Sequence, residues 1–256
     1  MKVAILGAGN MGGAIARGLA QGGLVATKDI TVTNPSVGKL DKLKAEYPEI
    51  NVSTDNSVAS EADMVIIAVK PWKVEEVVKP LHLRRPQIVV SVAAGISFET
   101  LKEYVDKDMP LFRVIPNTAI SCLASTTLIA ECNASTEQTQ MLLDLFNEMG
   151  LSILIEEKQM TAATALTSCG IAFVLKYVQA AMQAGVEVGI RPKDAMKMLA
   201  QTLDGAAQLL LTDENTHPAI EIDKVTTPGG ITIKGVNQLD HDGFTSAVIN
   251  AVKACM

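Results

Sequence analysis

Two hydrophobic rhythms divide this chain. In the first half, short apolar runs alternate with amphipathic helical segments. Strands are predicted at 3–6, 30–33, 51–53, 65–69, 88–92 and 111–115. Helices are predicted at 12–22 and, with a heavily charged surface, at 36–47. Continuous β-branched runs between helical segments indicate βαβ units and a parallel sheet covered on both faces. Two further runs, 126–130 and 151–155, bracket a helix at 136–149 and are placed at the edge of the same sheet.

The rhythm changes near Glu156-Glu157-Lys158. Residues 162–188 read as one long apolar helix, broken at Gly189 and closed by Pro192. A second helix is expected over 193–211, then a polar loop from Asp213 to Pro218, then two helices after a Pro-Gly-Gly joint. The long helix is apolar on too many faces for a solvated surface element, so it forms either a core or a subunit interface. The expected fold is α/β, an N-terminal Rossmann-type doubly wound sheet over 1–157 followed by an all-α domain over 158–256.

Composition narrows this picture. Hydrophobic residues make up 48% of the 256 and aromatic residues only 4%, which favours helices and a parallel sheet over a β-sandwich. A net charge of −6 with no Lys/Arg run argues against a nucleic-acid partner. The chain shows no signal-peptide pattern and no run approaching about 18 consecutive apolar residues, so a cytoplasmic protein with no membrane span is expected. Cys122, Cys132, Cys169 and Cys255 form no CxxC pair and have no His at zinc spacing, so no metal is expected.

Gly7-Ala8-Gly9-Asn10-Met11-Gly12 matches G-x-G-x-x-G between the first predicted strand and the first predicted helix. In that context Gly7 permits the tight turn, Gly9 the approach of a pyrophosphate, and Gly12 close packing of helix and strand. An NAD enzyme usually carries Asp or Glu at the end of the second strand, to hold the ribose 2′-hydroxyl. Here that strand ends Thr33-Asn34-Pro35-Ser36, and Asp29 lies at its wrong end. Neutral Asn34, with Ser36 and Lys39 beyond, favours NADP(H), with NAD(H) as the alternative. Taken alone, Lys39 reads as an ordinary exposed helix lysine. Two further strand ends, Ala68-Val69-Lys70-Pro71 and Ala93-Ala94-Gly95, lie where open α/β sheets bind ligands.

Near the C-terminus, Thr226-Thr227-Pro228-Gly229-Gly230-Ile231-Thr232 reads as a helix start, with Thr227 as cap and Pro228 in the first turn. Such a start exposes backbone N–H groups to a small anion such as a carboxylate. It also serves as a plain loop-to-helix joint.

Together these motifs resemble the pyrroline-5-carboxylate reductases, which catalyse the last step of proline biosynthesis. The resemblance runs along the whole chain, through the glycine loop, Ala68-Val69-Lys70-Pro71, residues 91–97, Arg113-Val114-Ile115-Pro116-Asn117-Thr118, and His217-Pro218 followed by 225–239. It implies an NADP-binding domain and a helical dimerisation domain intertwined with a second subunit, with rings of dimers also known in the family. It places the substrate carboxylate on Thr227, Gly229, Gly230 and Ile231, and Thr232 at the ring nitrogen. It sets Asn34 and Asn56 near the adenosine ribose and its phosphate, and Glu157 at the site. This chain departs from the family where Ser-Gly-Ser-Gly-Pro-Ala-Tyr becomes Thr167-Ser168-Cys169-Gly170-Ile171-Ala172-Phe173. Thr161 replaces an aspartate, and Ile231 the first Thr of a Thr-Thr pair.

The implied reaction is hydride transfer to a cyclic imine carrying a carboxylate. A protonated imine is already a good electrophile, so the site has to position and hold rather than supply a strong base. That agrees with the absence of a convincing acid/base pair among His82, His217, His241 and the carboxylates. Two rivals remain: an oxidoreductase like the β-hydroxyacid dehydrogenases, for which Lys176 is badly spaced, and a non-catalytic dinucleotide-binding protein.

Overall fold

The computed structural model describes residues 1–213 and 215–256. These form two compact units, Met1–Ser168 and Cys169–Met256. In the first, strands β1 (Val3–Leu6), β2 (Ile30–Thr33), β3 (Asn51–Ser53), β4 (Met64–Ile67), β5 (Ile88–Ser91), β6 (Leu111–Ile115), β7 (Ser125–Cys132) and β8 (Gly150–Leu154) make one sheet, ordered β3-β2-β1-β4-β5-β6-β7-β8. The first six strands are parallel; β7 runs antiparallel to β6, and β8 parallel to β7. Helices α1 (Asn10–Gln21), α2 (Val37–Glu46), α3 (Val74–Val78), α4 (Phe98–Leu101) and α5 (Thr136–Asn147) connect them.

Every residue of β1, β4 and β5 is buried. Alternate side chains of one strand point to opposite faces, so such a strand needs cover on both. It has it. Val3, Ile5, Ile66 and Val90 pack in one cluster with Ile15 and Leu19 of α1 and Phe146 of α5. Ala4, Leu6, Ile67 and Val89 pack in another with Val74, Val78 and Leu101. Truncating a fully buried residue such as Ile66 to alanine would cost about 2–5 kcal/mol. The helix predicted at 136–149 starts on a capping box, in which Ser135 Oγ accepts from Gln138 N–H and the Gln138 side chain accepts from Ser135 N–H.

The long helix expected at 162–188 is not one regular helix. A short α6 (Met160–Thr164) passes through a π-helical turn, Ala165–Cys169, into α7 (Gly170–Glu187). Thr164 and Thr167 hydroxyls donate to the carbonyls of Met160 and Ala163 one turn earlier, at 2.6 and 2.9 Å, a back-bonding that loosens the regular ladder. The expectation about apolar length also needs correcting. No run of 18 consecutive apolar residues occurs, yet an 18-residue window within Glu157–Glu187 has mean hydropathy 1.4 and is only 6% buried, apolar enough by length and composition to cross a membrane.

The second unit continues with α8 (Pro192–Thr212), α9 (Pro218–Val225), α10 (Ile231–His241) and α11 (Phe244–Lys253). In the polar loop before α9, Glu214 lies outside the described residues.

Candidate active site

The strand order reverses between β1 and β4, and the crevice outside the carboxyl ends of the strands at such a point is where open α/β sheets bind ligands. The glycine loop begins there. Gly7 has φ +107° and is held by its N–H donating to Thr33 O at 2.8 Å. A Cβ on Gly7 would stand 2.7 Å from Ala68 O, and one on Gly12 would overlap the Gly7 carbonyl oxygen. Both positions are glycine because the chain itself leaves no room. Gly9 is different: a Cβ there would meet nothing within 4 Å. The space beside Gly9 is open, as the approach of a pyrophosphate requires. Helix α1 starts just behind it, with no side-chain cap on Gly9 and no acid in its first turn. Its leading N–H groups, from Asn10, Met11 and Gly12, suit an anion. These residues fit a dinucleotide.

The side chains expected at the ribose end come together, and most are engaged. Asn34 Oδ1 accepts from Ala8 N–H at 3.2 Å, and its Nδ2 donates to Ser36 O at 3.0 Å. Asn56 Oδ1 accepts from Thr33 Oγ1 at 2.5 Å. Ser36 precedes α2 without capping it through its side chain, and Lys39 is exposed. Asp55, beside Asn56, was not singled out in the sequence. It accepts from Ser57 N–H and Oγ–H, and those bonds hold its carboxyl below the ordinary range.

At the end of β4, Ala68 N–H donates to Leu6 O at 2.9 Å, and Pro71 opens a 3₁₀ turn closed by Lys73 N–H on Lys70 O at 2.8 Å. After β5, Ala93 and Ala94 lead to Gly95 at φ +78°, which like Gly9 has open space where a Cβ would be.

Glu157 is tied down within the first unit. Its Oε1 accepts from Arg113 Nη1 at 2.7 Å and from Phe98 N–H at 2.8 Å. Sequence reasoning assigned Arg113 no role; the available signal was one cation in the apolar strand Leu-Phe-Arg-Val-Ile. It also passed over a buried polar hub below the next loop. Ser125 Oγ accepts from Asn117 N–H and from Thr127 Oγ1, both at 3.1 Å, and Asn117 Oδ1 caps the following turn through Ala119 N–H.

In the second unit the Pro-Gly-Gly segment is built differently from the expectation. Helix α10 starts at Ile231, so Thr227 does not cap it and Pro228 is not in its first turn. Instead Thr227 O accepts from Gly230 N–H at 2.9 Å across a tight turn with Gly229 at φ +73°. Pro second and a left-handed Gly third is the pattern of a type II turn. Gly230 N–H is therefore engaged, and a Cβ on Gly230 would stand 2.8 Å from Thr227 Oγ1 and 3.0 Å from Thr227 O, a close fit to the turn. The donors left open are the first N–H groups of α10, from Ile231 and Thr232 onward, with no side-chain cap and no acid in the first turn.

His217 fixes a loop rather than facing chemistry: its Nδ1 accepts from Ala219 N–H at 3.2 Å and caps α9. Lys176 donates to Gln179 Oε1 at 2.9 Å on an exposed stretch of α7. Among the described residues, no cluster of three or more His, Cys, Asp or Glu could hold a metal.

Residues 157–256 match the family described as pyrroline-5-carboxylate reductase dimerisation, and residues 2–95 match the family described as NADP oxidoreductase, coenzyme F420-dependent. A Dictyostelium discoideum pyrroline-5-carboxylate reductase 1 is 38% identical over 98% of this chain, which spans about half (48%) of that protein's length. A second from the same organism, pyrroline-5-carboxylate reductase 2, is 37% identical over 98% of this chain and 89% of its own. The pyrroline carboxylate reductase of Plasmodium falciparum, solved with NADP bound, superposes with a TM-score of 0.87 at 26% identity, covering 100% of this chain and 95% of that one. With a doubly wound NAD(P)-binding sheet, a helical dimerisation segment and this degree of identity along nearly its whole length, the chain belongs to the pyrroline-5-carboxylate reductase family, oxidoreductases that act on a carbon–nitrogen double bond.

Proposed function

We infer that this chain reduces 1-pyrroline-5-carboxylate to proline, with NADPH preferred over NADH. The observation that carries the reading is the start of α10, where uncapped N–H groups follow the hydrogen-bonded Thr227–Gly230 turn and the first helical turn holds no acid to repel a carboxylate. The dinucleotide, when bound, supplies the hydride. The chain's own residues hold and orient. Gly9 and the first turn of α1 accept the pyrophosphate, and Asn34, Ser36 and Asn56 border the ribose, with no acid at the end of β2 to grip a 2′-hydroxyl in place of a 2′-phosphate. Ala68, Val69, Lys70 and Pro71, with Ala93, Ala94 and Gly95, line the rest of the crevice. Ile231 and Thr232 N–H groups receive the substrate carboxylate, Thr227, Gly229 and Gly230 give that turn its shape, and the Thr232 hydroxyl hydrogen-bonds the imine nitrogen. Glu157 acts by bracing through Arg113.

The same reading divides labour at 157/158 between nucleotide binding and substrate binding with dimerisation. The self-association that the dimerisation segment indicates is an intertwined homodimer. The apolar helical stretch is covered by a second subunit rather than by lipid, the protein works in the cytoplasm, and neither nucleic acid nor membrane is a partner. The Plasmodium falciparum protein, solved with NADP bound, supports the nucleotide preference.

Absorbance of NADPH and NADH with pyrroline-5-carboxylate tests the reading, with proline as product inhibitor. Imine-dependent oxidation faster with NADPH is expected. Nucleotide binding without turnover would overturn it, and turnover with a hydroxy acid instead would move the chain to the β-hydroxyacid class.

A further inference from the structure

Resting on that reading, we propose that Trp72 is a positioning residue for the nucleotide: its indole holds the Lys70 ammonium at the carboxyl end of β4, where this cation meets the phosphates of the bound dinucleotide. Lys70 Nζ stands over the Trp72 ring, 6.0 Å from its centroid. The backbone leading to Lys70 lies against the glycine loop, since a Cβ on Gly7 would be 2.7 Å from Ala68 O and 3.2 Å from Val69 Cγ1. The cation is thus attached beside the pyrophosphate-binding turn.

Neighbouring charges single Lys70 out. Lys73 pairs with Glu76 at 3.8 Å, and Lys79 pairs with Glu75 at 2.6 Å. Lys70 has no salt-bridge partner among the described residues. Trp72, the chain's one tryptophan, is 75% exposed and contributes to neither apolar core. A large apolar ring left in water beside an unpaired cation gives that cation a preferred location without neutralising it. A carboxylate in the same place would compete with a phosphate; an aromatic face does not.

The size of an exposed cation–π contact corresponds to about a two- to fivefold effect on binding. Trp72→Leu, Trp72→Phe, Lys70→Gln and the Lys70→Gln/Trp72→Leu double variant would be compared by titration calorimetry with NADPH at low and high salt, alongside KM and kcat with the imine. Thermal melts confirm that each variant is folded. The expected result is a weaker NADPH Kd for Trp72→Leu, rescue by Trp72→Phe, and no further loss from Trp72→Leu once Lys70 is Gln. The defect appears in the nucleotide KM rather than in kcat and shrinks at high salt. Wild-type-like NADPH binding by Trp72→Leu, or additive losses in the double variant, would overturn the proposal. Because calorimetry needs no turnover, its outcome is independent of whether the imine proves to be the substrate.

Discussion

Arg113 and Glu157 form an ion pair, 2.7 Å from Nη1 to Oε1, in which the arginine side chain is 12% exposed and the glutamate 35%. The pair fastens the start of the dimerisation segment to the middle of the sheet. Removing the acid leaves the guanidinium poorly solvated and without its partner. Glu157→Ala should lose about 1–3 kcal/mol, less than for a fully buried pair because the glutamate is partly wet. That corresponds to a Tm drop of several degrees, and Glu157→Gln, which keeps an acceptor oxygen, should lose less. A rise in imine KM with an unaltered melt would instead assign Glu157 to the substrate.

The two glycines at either end of α1's first turn should respond oppositely to the same substitution. A Cβ on Gly12 collides with the Gly7 backbone, so Gly12→Ala should lower the Tm sharply or prevent folding. A Cβ on Gly9 meets nothing in the chain, so Gly9→Ala should melt like the parent yet bind NADPH at least about tenfold more weakly, because the methyl fills the space a pyrophosphate needs. Equal nucleotide affinity in Gly9→Ala would remove the loop from the binding site.

Thr232 stands second in α10, exposed, with its backbone N–H uncapped. Thr232→Ala should lower kcat/KM about 10- to 100-fold, the loss of a hydrogen bond to a charged group. Thr232→Ser should recover most of it. Parental kinetics in the alanine variant would take the hydroxyl out of the reaction.

How much of this was readable in advance follows from the physics of each element. Strands such as Val3–Leu6 and Met64–Ile67 were legible because burial on both faces makes them continuous apolar runs. The glycine loop was legible because its context, strand before and helix after, is local. The π-helical turn was not, since threonine back-bonding leaves no mark in hydrophobic periodicity. The Thr227–Gly230 turn was misread as a helix cap because Thr-Pro-Gly-Gly satisfies both patterns, and only the positive φ of Gly229 separates them. Arg113 and Glu157 are 44 residues apart, and no local signal joins them.

The clip between α1 and α2 gives a pH signature. Arg17 Nε donates to Glu46 Oε2 at 2.5 Å and its Nη2 to Oε1 at 3.0 Å, and this bonding holds the Glu46 carboxyl below its ordinary range. A carboxylate depressed in the folded state contributes stability that is present above its unfolded pKa and disappears as pH falls through the lower folded value. The Tm of Glu46→Gln should therefore lie slightly below the parent at neutral pH and converge with it in acid. A constant offset across the whole range would mean that the pair contributes through packing alone.

Exposed apolar side chains on the helical unit predict its assembly. Leu175 is 61% exposed and Val188 78%. Leu175→Glu should shift the sedimentation profile toward monomer and reduce activity with it. A fully dimeric and active variant would place the interface elsewhere.

Asn34 constrains what the end of β2 can become. Its amide works in both directions, accepting from Ala8 N–H and donating to Ser36 O. An aspartate, the usual means of gripping a ribose 2′-hydroxyl, would keep the first bond and set two oxygens against each other in the second. A single Asn34→Asp exchange therefore carries a structural cost whichever coenzyme is bound. Unless another donor reaches the Ser36 carbonyl, the exchange loosens the turn between β2 and α2, so the residue at this position is held by a structural bond as well as by whatever ligand it meets.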